Sequence, residues 1–163
     1  NTNTPYGESP VSTAMGAYFN KKAYTDPALR RKYTRMGFWV NIRLIRYPDV
    51  LLMAAESANE KGLMGEASGY LEQVRAHARG TLTNVLPKVE SLDQSVLREA
   101  IRHERRVELG LEPDRFYDLV RWGIAQEALQ AAGKNNQPKN ALLPLPQTEI
   151  DKSNGVLIQN PDY

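Results

Sequence analysis

The chain has 163 residues, of which 41% are hydrophobic and 25% are charged, and its formal net charge is +2. This length suits one domain of ordinary size, and the composition is typical of a globular protein. Acidic and basic residues are interspersed, so the overall charge does not predict nucleic-acid binding. The absence of cysteine excludes disulfides, thiolate catalysis and cysteine-based metal sites. No apolar run approaches the roughly 20 residues that span a bilayer.

Residues 1–44 are predicted to form an irregular or extended segment. Residues 1–37 are rich in Asn, Thr, Ser, Gly, Pro and Tyr, which favour turns and loops. Phe38–Ile45 alternates in polarity, which indicates an extended stretch or a short strand. The polar start of the chain has no signal-peptide pattern and is typical of the middle of a loop. We therefore expect a fragment of a larger protein.

A helical hairpin is predicted next. Pro48 suits the first turn of a helix, and Gly62 is a natural C-cap. A second helix is predicted over 65–79 and ends at Gly80. The link between the two helices is so short that they must fold back on each other as an antiparallel pair.

Small residues in this hairpin resemble the pattern of a tetratricopeptide unit, in which two helices cross closely. The positions concerned are Ala55, Gly62 and Ala67, with Leu71 beside them. Such units bury their faces by stacking, and the chain contains one convincing unit. We therefore expect other packing partners, and we predict an all-α fold, mainly helical with long irregular segments.

The second half of the chain predicts further helices. Ser91 and Gln94 form a capping box, and Asp114 is a second N-cap. An extended stretch at 142–146 is followed by one helical turn. The predicted helices are 92–110, 115–122 and 124–132.

The stretch from Glu104 to Trp122 mixes charged residues with large apolar ones. At helical spacing, Glu104 and Glu108 fall in the middle of an apolar stripe, and Arg102 and Arg106 fall opposite. The stripe consists of Leu97, Ala100, Ile101, Val107 and Leu111. Because an unpaired buried charge is very costly, the pattern predicts an ionic network. Its predicted members are Glu104, Arg105, Glu108, Arg115, Asp118 and Arg121.

Catalytic and metal-binding interpretations of this stretch are weaker than the interpretation as an ionic network. His103-Glu104 begins like a zinc-protease motif, but Val107 occupies the second histidine position. Glu104 and Glu108 could form an acid/base pair, yet the nearby arginines would keep both carboxylates ionised and fixed. We therefore predict no catalytic residue, no metal and no cofactor. We expect Arg115 and Asp118 to tie their short helix to the two glutamates.

Ligand contacts are predicted in the first segment, because pyranose rings present C–H faces that pack on aromatic planes and loops often carry binding residues. The predicted ligand-binding residues are Tyr18, Phe19, Asn20, Trp39 and Asn41. The alternative is that these aromatic residues cover the core.

In Ile45–Glu60 and in Glu104–Trp122 the sequence resembles patterns of the SusD/RagB family of glycan-binding lipoproteins of Bacteroidetes. Ile45–Glu60 is similar to the helix R-x-x-E-V-L-L-x-x-A-E-A, with Asp49 where glutamate is commoner. Glu104–Trp122 is similar to E-R-R-x-E-L-x-F-E-G-x-R-x-x-D-L-x-R-W. Leu111 replaces the usual Phe, and Pro113 replaces the usual Gly. Neither replacement affects a charged position.

A third segment, Leu143–Ile150 followed by Asn160–Tyr163, is similar to the C-terminal ending of the same family. The three segments occur in the family's order within residues 45–163, which resemble the C-terminal helical domain of a larger protein.

The resemblance implies a binding protein and no enzyme. Family members bind oligosaccharides such as starch-like glycans at the cell surface. They are held in the outer membrane by an N-terminal lipid anchor, which this chain does not contain, and they assist nutrient uptake through a SusC-like TonB-dependent transporter. The family's principal sugar site is expected to lie largely outside this chain. The alternative is a tetratricopeptide-like protein-protein interaction scaffold without sugar binding. A glycan hydrolase, the most distant alternative, would lose cleavage on Glu104→Gln, whereas we expect a weakened fold.

Overall fold

The computed structural model describes residues 6–7, 20–30, 41 and 43–163. In these residues the secondary structure is helical and includes no strand, which confirms the predicted all-α class. Of the extended stretch or short strand predicted over Phe38–Ile45, residues 38–40 and 42 lie outside the described residues. The α-helices are α1 (Pro27–Arg30), α2 (Tyr47–Glu60), α3 (Met64–Arg79), α4 (Gln94–Glu108), α5 (Arg115–Arg121), α6 (Ala125–Ala131) and α7 (Gln147–Lys152).

The chain divides into two compact units, Asn1–Arg105 and Arg106–Tyr163. In the first unit, α2 and α3 form the predicted hairpin. Gly62, at φ +78°, follows the end of α2. Its N–H donates to the Asn59 carbonyl at 3.0 Å, and the Leu63 N–H donates to the Ala58 carbonyl at 2.9 Å. This pattern is a Schellman motif, which needs a left-handed residue and so favours glycine.

The core of the first unit combines α2 and α3 with α4. Leu52, Ala55 and Ala67 are fully buried, so the two hairpin helices approach closely where their side chains are small. Leu97 and Ile101 of α4 pack into the same cluster. The remaining buried members are Leu51, Ala58, Leu71 and Val74.

Side chains of α3 hold the loop that leads to α4. The Ser68 hydroxyl donates to the Val89 carbonyl at 3.2 Å. The Arg79 guanidinium donates to the Leu86 carbonyl through Nη2 at 2.6 Å and Nε at 3.0 Å. These bonds satisfy loop carbonyls that have no helical partner.

The predicted capping box of α4 is wrong. Asp93 takes the capping role, because its Oδ1 accepts from the N–H groups of Ser95 at 2.9 Å and Val96 at 3.0 Å. The Ser95 hydroxyl also donates to this oxygen and lowers the pKa of Asp93. Ser91 instead accepts from the Asp93 N–H at 3.2 Å. An ionised carboxylate is a stronger acceptor than a hydroxyl, which explains the choice of Asp93.

The second unit contains α5, α6 and α7, with Leu109 and Leu119 buried. Asp114 occupies the N-cap of α5, but its side chain makes no capping bond, contrary to prediction. The predicted turn at the end of the 142–146 stretch is confirmed as α7. The amide of Gln159 accepts from the Leu145 N–H at 2.8 Å and donates to the Leu145 carbonyl at 2.9 Å. These two hydrogen bonds hold the tail at Gln159 beside the extended stretch 142–146.

Leu52→Ala is expected to lower the free energy of unfolding by about 2–5 kcal/mol, because it opens a cavity in a core that cannot fully collapse. Met53→Ala is the matched control: Met53 is the next residue of α2 and is 43% exposed, whereas Leu52 is 0% exposed. The control should change stability by less than about 0.5 kcal/mol. Urea unfolding followed by circular dichroism measures both. Equal losses would contradict this assignment of the core face.

Candidate functional site

Glu104 of α4 is buried against an arginine of α3. Its Oε2 accepts from Arg75 Nη1 at 2.7 Å, and the side chains of Glu104 and Arg75 are 3% and 12% exposed. The same guanidinium donates to the Pro87 carbonyl through Nη2 at 2.9 Å and Nε at 3.2 Å. The guanidinium of Arg75 therefore joins α4, α3 and the loop between them, because arginine has several N–H donors in one plane.

A second buried pair links α4 to the start of α2. Arg105 Nη1 donates to Asp49 Oδ1 at 2.9 Å, and both side chains are buried. Asp49 lies in the first turn of α2, where a negative charge also interacts favourably with the helix dipole.

Two further contacts fix the other end of α2. Arg98 forms a two-bond pair with Glu60, at 2.6 Å from Nε and 2.7 Å from Nη2. The amide of fully buried Asn59 donates to the Gln94 carbonyl at 3.0 Å, and the Gln94 amide donates to the Asn59 carbonyl at 2.7 Å. Together with the buried ion pairs, these bonds attach α4 to both ends of α2 and to α3.

The second unit has its own charged cluster around Trp122. Arg121 pairs with the buried Asp118 at 2.9 Å. The Cζ atoms of Arg121 and Arg115 lie 4.9 Å and 5.9 Å from the centroid of the Trp122 ring, within the range of cation–π attraction. Burial lowers the pKa of Arg115, the charge of Arg106 lowers it further, and Asp118 partly opposes both.

The predicted ionic network is thus distributed over two units. Glu104 and Arg105 are paired within the first unit, and Asp118 with Arg121 within the second. Glu108 is half-buried. The tie that was expected between α5 and the glutamates of α4 stays a prediction.

The predicted apolar stripe was wrong at its far end. Val107 and Leu111 are 57% and 71% exposed. Val107 lies at the edge of the stripe, about 120° around the helix from Ile101 at helical spacing. Leu111 lies beyond the end of α4 and has φ +66°, so the helical spacing no longer applies to it.

Sequence reasoning missed Arg75 and Asp49 as partners. Both carried a usable signal, because Arg75 follows the buried Leu71 by four residues and Asp49 precedes the buried Leu52 by three. These spacings put each charge on the core side of its helix. The sequence alone did not indicate which charge of α4 each would meet.

Only two of the five predicted ligand-binding residues, Asn20 and Asn41, are among the described residues. Tyr18, Phe19 and Trp39 lie outside the described residues. Asn20 caps a 3₁₀ helix, with its Oδ1 accepting from the Lys22 N–H at 3.0 Å, and Asn41 is exposed. Their contact with a ligand stays a prediction.

The buried carboxylates of the described residues are held by guanidinium groups, an arrangement suited to fixing helices. Across 6–7, 20–30, 41 and 43–163, no group of three or more His, Asp or Glu side chains is arranged to hold a metal ion. In the same residues, no helix combines the length and apolar character that crossing a membrane requires.

The fold and its ion pairs therefore define an all-α protein whose charged residues hold a helical hairpin and the helix that follows it. The sequence profile of the SusD family matches residues 1–163, and the chain belongs to this family. The resemblance seen in the three sequence segments is confirmed.

Relatives and a solved structure agree with this assignment. The chain is 38% identical over 153 residues to SusD-like protein P25 of Formosa agariphila, covering 90% of this chain and 27% of that protein. It is 35% identical over 127 residues to SusD-like protein P2 of the same organism, covering 73% and 25%. The crystal structure of a SusD homolog from Bacteroides thetaiotaomicron matches with a TM-score of 0.67 at 30% identity, covering 82% of this chain and 30% of that one. The chain thus spans about a quarter of the length of these curated relatives.

Glu104→Gln is expected to lower the free energy of unfolding by about 3 kcal/mol, because it leaves the guanidinium of Arg75 without its buried counter-charge. The matched control is Glu99→Gln, which removes an exposed pair with Arg102 from the same helix. That change should cost less than about 1 kcal/mol. Thermal and urea unfolding of both variants provide the measurement. An unchanged melting temperature for Glu104→Gln would refute the structural role of the pair.

Acid should weaken the Arg98–Glu60 pair. The hydrogen bond from Arg98 lowers the pKa of Glu60, while burial opposes this change. Ionised Glu60 therefore stabilises the fold above the unfolded glutamate pKa of about 4.3, and this contribution is lost as pH falls through the lowered pKa. Between about pH 5 and pH 3, the free energy of unfolding should fall less for Glu60→Gln than for the wild type. The difference should be under about 1 kcal/mol, because the pair is partly exposed. Glu66→Gln, an exposed α3 variant, should follow wild type.

Proposed function

We propose that this chain is the C-terminal helical part of a cell-surface protein that binds oligosaccharides and assists their uptake. The match of the SusD family to all 163 residues carries this proposal. The similarity to named SusD-like proteins over most of the chain supports it. In this proposal the full-length protein lies at the outer membrane and delivers glycan to a SusC-like TonB-dependent transporter.

The proposal assigns a scaffold role to the charged core residues. Glu104, which the catalytic alternative would need, is held at 2.7 Å by the guanidinium of Arg75, and the buried Asp49 is held in the same way by Arg105. Carboxylates fixed by guanidinium groups in this way suit packing better than proton transfer. We therefore propose that the protein is not an enzyme.

The proposal assigns sugar contacts to the first segment of the chain. Exposed loops commonly carry binding residues on a rigid scaffold, and the helical hairpin with α4 supplies that scaffold. The proposed contacts are Tyr18, Phe19, Asn20, Trp39 and Asn41.

A protein-protein interaction scaffold remains the second candidate, and one surface of α2 favours it. Tyr47, Val50 and Met53 are all exposed and follow one another at three-residue spacing along the helix. Exposed apolar surface on a tetratricopeptide-like hairpin is suited to contact with another helix.

The two candidates are separated by glycan binding of the full-length protein. Affinity electrophoresis in gels that contain one polysaccharide each should show retarded migration with at least one glycan, and calorimetry should give its affinity. Co-purification from detergent-solubilised outer membranes should recover a TonB-dependent transporter. Bovine serum albumin and an unrelated outer-membrane lipoprotein serve as controls. Normal migration in every gel, together with capture of soluble protein partners, would favour the scaffold and contradict glycan binding.

A further inference from the structure

The stretch between Asn20 and Arg46 has a positive charge that the whole-chain value of +2 conceals. Between Asn20 and Arg46 the sequence has one acidic residue, Asp26. Its carboxylate accepts from the Ala28 N–H at 2.9 Å at the start of α1. The basic residues of the same stretch are Lys21, Lys22, Arg30, Arg31, Lys32, Arg35, Arg43 and Arg46. Such an excess of positive charge attracts anionic ligands and raises their local concentration.

Two tyrosines form an aromatic surface beside this charge. The rings of Tyr6 and Tyr24 are nearly parallel, at 22°, with their centroids 6.0 Å apart. Rings in direct face-to-face contact would be about 3.5–4.0 Å apart, so these two do not fully cover each other. Tyr6 is 50% exposed. The Tyr6 ring therefore offers accessible aromatic surface to a ligand, next to the half-buried Tyr24.

Local hydrogen bonds fix the position of Tyr24. It follows the 3₁₀ helix Lys21–Ala23, which Asn20 caps, and its N–H donates to the Lys21 carbonyl at 3.2 Å. The next residue, Thr25, is buried. An anchored ring binds with a smaller loss of conformational entropy than a ring on a mobile chain.

Three cations neighbour Tyr24, two of them along the chain and one through a hydrogen bond to the Lys22 backbone. Lys21 and Lys22 are exposed and come within three residues before Tyr24. Arg43 joins them from a distant part of the chain, because its Nη2 donates to the Lys22 carbonyl at 2.8 Å. The Cα atoms of Lys22 and Tyr24 can be at most about 7–8 Å apart. Among the described residues, Arg43 uses this single acceptor, which leaves N–H groups that can donate to an anion.

We propose that Tyr6, Tyr24, Lys21, Lys22 and Arg43 form a binding site for an acidic glycan. The C–H face of a sugar ring would pack on the tyrosine plane, and the cations would contact its carboxylate or sulfate groups. Arginine suits this role because its planar donors match both anions. This inference rests on the proposed function and adds the ligand class and the residues that select it.

The first test compares glycans that share a backbone and differ in charge. Polygalacturonate is compared with fully methyl-esterified pectin, and κ-carrageenan with agarose, by affinity electrophoresis and calorimetry on the full-length protein. We expect at least one anionic member to bind at least tenfold more tightly than its neutral counterpart, and this preference to weaken in about 0.5 M salt. The carboxylate and sulfate arms identify which anion is recognised.

The second test uses variants of the site. Tyr6→Ala and Tyr24→Ala should each weaken binding of the retained glycan about tenfold, the effect of losing one aromatic contact. Tyr6→Phe should bind within about twofold of wild type, since it keeps the ring. Lys21→Gln and Arg43→Gln should reduce binding of the anionic glycan and leave the neutral one unchanged. Tyr47→Ala and Lys61→Gln, at exposed positions of the same unit, are the matched controls, and melting temperatures verify folding.

Each other outcome contradicts a different claim. Preference for a neutral glycan, or equal binding by all site variants, would overturn the acidic-glycan site while the proposed function stands. Equally tight binding of a single-stranded oligonucleotide would show a non-selective polyanion surface and would also overturn it. Failure of the wild-type protein to bind any glycan of either kind would contradict the proposed function itself.

Discussion

The burial of Glu104 is the constraint on which the first unit depends. A carboxylate in the core is tolerated only with a counter-charge, and Arg75 must therefore reach it from α3. Because the same guanidinium binds the Pro87 carbonyl, the position of α4 is coupled to the loop that leads into it. A one-turn shift of α4 along α3 would leave both charges unpaired. We interpret the pair as fixing the register of the helices more than adding to their stability.

The positions of the helices were predictable because they follow from local chemistry. Apolar spacing indicated α2, α3 and α4, and Gly62 ends α2 in the left-handed conformation that glycine adopts most readily. The pairing of charges was not predictable in the same way. Spacing shows which side of a helix a residue occupies, but not which residue of another helix lies opposite. Asp49 and Arg75 were therefore missed, although each lies on the core side of its helix.

Two errors at the ends of α4 have related causes. Ser91 and Asp93 are both good N-caps by residue type, and the choice depended on where the first turn began. At the other end, Leu111 was counted on the helical stripe although the helix had already stopped at Glu108. The boundaries of a helix are set by single residues in competition, whereas its body is set by many residues that agree. Periodicity therefore predicts the body better than the ends.

The residues that identify the family and the residues that would select a ligand are under different physical demands. Asp49, Glu104 and Asp118 are buried and must match fixed partners, so their sequence pattern is recognisable without reference to any ligand. A ligand site instead needs accessible rings and unsatisfied donors, which no helical spacing specifies. Tyr6 and Arg43 acquire a shared role only because folding brings distant parts of the chain to the Lys21–Tyr24 turn. The net charge of +2 conceals this site, since the net acidic remainder of the chain offsets the basic stretch between Asn20 and Arg46. Specificity in such a protein is therefore better sought in the local distribution of charge than in the family signature.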